Sequence, residues 1–93
     1  MNKSTASELA DEWLHRLRSQ PYAELARQVD QPAFTTTVAR GGTEFQVEVT
    51  HHWDGEPGGD VRVVVAVDDG GLRALMPRTS DFIKAPDGHF VGE

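Results

Sequence analysis

The side chains with the widest chemical range in this chain fall together. They are His51, His52, Asp54, Glu56 and Asp60. Imidazole and carboxylate groups bind zinc and other divalent cations, so His51, His52, Asp54 and Glu56 are candidate metal ligands. Adjacent histidines on a strand point to opposite faces, so His51 and His52 share a metal only if the strand has ended before them. Asp54-x-Glu56 loosely matches a calcium loop, but the remaining ligand positions do not. No cysteine and no third histidine lies near to complete a site. The alternative reading of the same stretch is a solvated loop rich in turn formers.

Other candidates are sparser. His89 could exchange a proton with Asp87 or Asp81 as an acid–base pair. No serine or threonine stands in a nucleophile-elbow context, and no catalytic residue is assigned. Trp53 is either an exposed binding anchor or, more commonly for its type, a lid folded back on the end of the core. The glycine pairs 41–42 and 70–71 join strand to strand, not strand to helix, so they are turns and not phosphate loops. No cofactor is expected.

Composition narrows the classes. The chain has 93 residues, with 9 Lys plus Arg against 15 Asp plus Glu, a net charge of −6 and a pI near 5.1. That length supports one core, because two would each be too small to offset chain entropy. Residues 41–60 carry Glu44, Glu48, Asp54, Glu56 and Asp60 without a Lys or Arg. Nucleic-acid binding needs clustered cations, so no nucleic-acid partner is expected; an acidic patch suits a basic partner or simple solubility. No stretch approaches the ~20 apolar residues that span a bilayer, so no membrane role is expected. The polar start of the chain and the absence of Cys place it, as an expectation, in the cytoplasm. Seven Arg against two Lys, with nine Ala and nine Gly, suggest GC-rich coding and a bacterial source.

These groups must be positioned by regular elements. Leu9, Ala10, Trp13, Leu14 and Leu17 recur at helical spacing. Thr5-Ala6-Ser7-Glu8 fits a capping box ahead of them. The first helix is therefore predicted over about 7–18. Pro21 suits the first turn of a second helix, about 21–28, carrying Tyr22, Leu25 and Ala26. At Phe34 the period drops to two. Arg40-Gly41-Gly42-Thr43 reads as a two-residue hairpin turn. It opposes Val38 to Phe45, Thr36 to Val47 and Phe34 to Val49, so the apolar partners share one face. Strands are predicted at about 34–40, 43–52, 61–68 and 71–76, with residues 51–60 as a loop. Segment 77–93 reads as irregular: Ser80-Asp81 caps a turn carrying Phe82 and Ile83, and His89-Phe90-Val91 forms a short last strand.

The fold class expected is α+β. Two N-terminal helices pack on one face of a four- to five-stranded antiparallel meander, giving a two-layer sandwich in a single domain, 1–93. Val64 and Ala66 then point outward beside Arg62 and Arg73, and with Trp53 they form the candidate partner-binding surface. The leading functional expectation is a non-enzymatic interaction module. It would act through the sheet face or the 51–60 loop, toward another protein or as a homodimer. The alternative is a metal- or small-ligand-binding protein using that loop. The third is a small hydrolase-like enzyme using His89.

Overall fold

A computed structural model describes residues 3–70 and 78–93. It has two helices, α1 (Lys3–Arg18) and α2 (Tyr22–Arg27). Four strands follow: β1 (Phe34–Arg40), β2 (Thr43–Trp53), β3 (Val61–Asp68) and β4 (Arg78–Lys84). The strands form one antiparallel sheet in the order β1-β2-β3-β4. Both helices cover the same sheet face, which makes the two-layer α+β arrangement expected from the periodicities.

The α1 stripe is apolar where it meets the sheet. Ala6, Leu9 and Ala10 are buried, and Trp13, Leu14 and Leu17 pack partly against the core. The i, i+3, i+4 spacing puts all six on one side of the helix. The helix begins at Lys3, so Thr5 lies inside it and does not cap it. Opposite, Phe45, Val47 and Val49 of β2 and Val61, Val63, Val65 and Val67 of β3 are buried. Alternation sends their neighbours to the other face.

The β1–β2 register is the one the turn dictates: Arg40 opposes Thr43, Val38 opposes Phe45 and Phe34 opposes Val49. Gly41 and Gly42 take φ of 60° and 80°, the positive pair a twist-matched two-residue hairpin requires.

Three departures bear on function. First, β2 continues through Trp53 and pairs with β3 as far as Val61. His51, His52 and Trp53 are strand residues, and the loop begins at Asp54. Second, Arg78–Lys84 is a full strand on β3, with Val63 opposite Phe82 and Val64 opposite Asp81. The expected capped turn at Ser80-Asp81 is absent because Phe82 gains more by entering the core from an extended segment. Of the expected last strand, a single bridge between Lys84 and Phe90 is present. Third, the strand predicted at 71–76, and Arg73 with it, lies outside the described residues.

Lys84 ties the layers together. Its side chain is buried, and its Nζ donates to the main-chain oxygens of Arg18 and Gln20, at 3.1 and 2.8 Å. The Arg18 carbonyl ends α1 without a helical partner and that of Gln20 lies in the turn just after it, so a cation there satisfies both and opposes the negative end of the helix dipole. Arg18 reaches the other way, forming a two-pronged pair with Glu93 and lying over the Phe90 ring at 3.8 Å.

Candidate functional site

The helical layer does not cover the sheet evenly. α1 packs chiefly on β4 and β3, and α2 on β3 and β2. The inner side of β1 is left partly bare. Phe34, which alternation aims at the core, is 51% exposed. A groove with a volume of about 270 Å³ opens there. Trp13 and Leu17 of α1 line it together with Phe34 of β1 and Val49 of β2. Gln20, Glu24 and Gln28 stand along the α2 side, and His51 closes the end. The Trp13 and Phe34 rings meet at 5.7 Å in a tilted pair, and Arg16 stacks on Trp13 at 4.3 Å.

His51 is the one residue here with acid–base chemistry near neutral pH. It continues the inward series Phe45, Val47, Val49, so the strand delivers it to the apolar face. Among the described residues, its Nε2 is buried without a hydrogen-bond partner. Burial, and secondarily the charge of His52, push its pKa below the ordinary imidazole value, which favours the neutral ring. Glu24 is ion-paired with Arg27 one turn along α2. The walls contain no hydroxyl or thiol nucleophile. The groove is lined by apolar side chains with a few polar ones along the α2 side, while the unsatisfied His51 Nε2 lies beneath its surface.

The predicted site residues are dispersed. His51 faces the helices and His52 faces away, because β2 has not ended. Asp54 turns to Arg62 at 3.0 Å, and Arg62 also binds Asp81, so these charges satisfy one another on the outer face. Glu56 is exposed in the loop. Among the described residues no group of three or more histidines or carboxylates is placed to hold a metal ion. Trp53 is half-buried against the core as a lid, and Tyr22 fastens the loop behind it by donating its hydroxyl to the Gly59 oxygen at 2.7 Å. His89 and Asp87 do meet, at 2.6 Å, but both are largely exposed on a turn, while Asp81 is engaged elsewhere.

Val64 and Ala66 lie outward and half-buried, as expected. Their row partners are Thr50, Asp81, Glu48 and Thr79. With Glu44, Gln46 and Asp68 also on this side, the outer face is a polar surface, the usual solvated side of an antiparallel sheet.

A second feature stands beside the groove. Strand β1 ends the sheet, and among the described residues no strand pairs with its outer edge. In a two-residue hairpin the flanking Arg40–Thr43 pair exchanges both hydrogen bonds, and pairs alternate from there. Residues 34, 36, 38 and 40 therefore bond to β2, while Thr35, Thr37 and Ala39 direct N–H and C=O outward. The only charge in β1 is Arg40, which is paired to Glu12 at 2.6 Å.

The groove residues come from four elements, so no local motif announces it. One signal was present: carrying the β2 alternation through to Trp53 puts His51 inward. No helix among the described residues is long and apolar enough to cross a membrane. Comparison with protein-family models, curated proteins and solved structures finds no match to the chain.

Proposed function

We propose that the chain is a non-enzymatic interaction module that joins a second copy of itself along the free edge of β1. The observation that carries this reading is the uncharged and unbulged edge from Phe34 to Ala39, which no strand among the described residues pairs. Thr-rich β-formers without an internal Pro or an inward charge lack the usual protections of an edge strand.

The edge is also self-complementary. Antiparallel pairing about Thr37 sets Thr37 against its own copy and Thr35 against Ala39. These are the residues whose backbone groups point outward, so every pair formed is a hydrogen-bonded one. The same two-fold axis keeps both helical layers on one side, opposes Thr36 to Val38, and brings Arg40 beside the exposed Phe34 ring, a cation–π geometry. Two copies at −6 each repel, and β1 itself carries no carboxylate. The outer face is a weaker choice, because Val64 and Ala66 are hemmed by carboxylates and threonines.

Strand addition alone buries little surface, which places association in the micromolar range or weaker. Analytical ultracentrifugation from micromolar to millimolar concentration tests it. The expected result is a concentration-dependent dimer, abolished in Thr37→Pro at an unchanged melting temperature, since the Thr37 N–H is outside the β1–β2 ladder. Amide exchange on the native chain gives an independent reading: Thr35, Thr37 and Ala39 slow as concentration rises. A wild type that stays monomeric, or a dimer indifferent to Thr37→Pro, overturns the proposal.

A further inference from the structure

We propose that Phe34 and Arg40 form a reciprocal pair across the seam between two β1 strands, and that this pair sets the register in which two copies meet. The inference rests on the edge pairing proposed above and names the side chains that make it specific.

The backbone alone leaves the register open. Any antiparallel pairing that matches the odd-numbered residues of β1 with one another uses their outward N–H and C=O groups. Centred on Thr37, the pairing sets Phe34 opposite the second copy's Arg40. Slipped by two residues one way, Phe34 meets Val38 and Arg40 meets Pro32. Slipped the other way, Phe34 meets Gly42 and Arg40 meets Thr36. In every case these are non-hydrogen-bonded positions, where facing side chains stand closest. The central register alone of the three brings a cation to the aromatic ring.

Each group is left open within one chain. Among the described residues Phe34 is the large apolar side chain that stays exposed, at 51%. Trp13 backs its ring at 5.7 Å, and Arg16 lies over Trp13. Arg40 forks onto Glu12 at 2.6 and 3.1 Å. Among the described residues no ring lies over its guanidinium. The same chain shows what such a fork accepts. Arg18 forks onto Glu93, both prongs at 2.7 Å, and lies over the Phe90 ring at 3.8 Å. A guanidinium bonds a carboxylate in its plane and stacks a ring on its face, so the two contacts are compatible. Glu12 and Arg40 supply two of those three groups, and the second copy's Phe34 supplies the third. The two-fold axis repeats the arrangement at both ends of the seam.

The test reads the contact on the native chain first. Isotope-labelled and unlabelled copies are mixed at millimolar concentration, and isotope-filtered NMR is expected to give cross-peaks between the Phe34 ring protons of one copy and the Arg40 side-chain protons of the other. Phe34→Ala and Arg40→Gln are each expected to weaken the dimer about tenfold, since each removes both pairs. An equimolar mixture of these two variants gives a stricter reading. Each self-dimer lacks both pairs, whereas the mixed dimer keeps one, so the mixed species exceeds the share that random pairing gives. A dimer that is sensitive to Thr37→Pro but shows Phe34 cross-peaks to Val38 instead of Arg40, or mixes the two variants at random, overturns this inference and leaves the edge pairing standing. A wild type that forms no dimer overturns the edge pairing itself, and this inference with it. The wild-type spectra decide the matter even where a variant fails to fold.

Discussion

Single side chains decide more here than the composition suggests, and Lys84 is the clearest case. A buried ammonium is tolerable only when its protons are used, and two bonds go to carbonyls at and just beyond the end of α1. Lys84→Met keeps the length and loses the donors. It is expected to lower stability by about 1–3 kcal/mol in urea unfolding, the range for hydrogen bonds to a charged group. His51 couples the groove to pH. Its folded pKa lies below the ordinary 6.5 because of burial, so the unfolded chain takes up the proton more readily. Stability is therefore full above that value and falls as pH drops through it. Glu12 and Glu93 act at lower pH. Hydrogen bonds from Arg40 and Arg18 hold their carboxyls below the usual range, so their contributions persist above that range and are lost beneath it. Urea melts between about pH 7 and pH 5 should show declining stability in the wild type and a shallower decline in His51→Phe.

At the scale of elements, the β1–β2 hairpin is specified locally. Gly42 sits at φ 80° with open space where a Cβ would project, so the strain of a substitution there is backbone strain alone. Gly42→Val is expected to lower stability by about 1–2 kcal/mol, read from the shift in the urea midpoint, without changing the pairing of Val38 with Phe45. This hairpin was legible in the sequence because turn chemistry and two-residue alternation agree over its whole length. The helices were legible for the same reason at a period of 3.6. β4 was not, because Arg78-Thr79-Ser80-Asp81 carries no apolar alternation and only Phe82 and the stem of Lys84 enter the core. The end of β2 was placed one residue short, at 52, and the overlapping loop reading of 51–60 failed because His51 and His52 resemble loop residues although β3 gives both a partner. The groove was beyond reach, since its existence depends on how far the helical layer stops short of β1, a distance no local pattern encodes.

For the molecule as a whole, asymmetry is the governing feature. The described residues extend 40 × 24 × 18 Å, with helices stacked toward β3 and β4 and the β1 side left open. Stabilising ties concentrate on the closed side: Lys84 and Arg18 with the last residues, and Arg78 donating to the Ser7 hydroxyl at 2.8 Å. The β1 edge and the groove lie toward the open side, where Arg40 and Glu12 join β1 to α1.

The seal that Lys84 places on the end of α1 has a temporal meaning as well. During synthesis the first helix leaves the ribosome with its terminal carbonyls and the flank of its apolar stripe uncovered, and they stay uncovered until residues 78–93 have cleared the exit tunnel. The hairpin can assemble meanwhile, but the two layers lock only once β4 has emerged, so α1 waits on a strand made well after it.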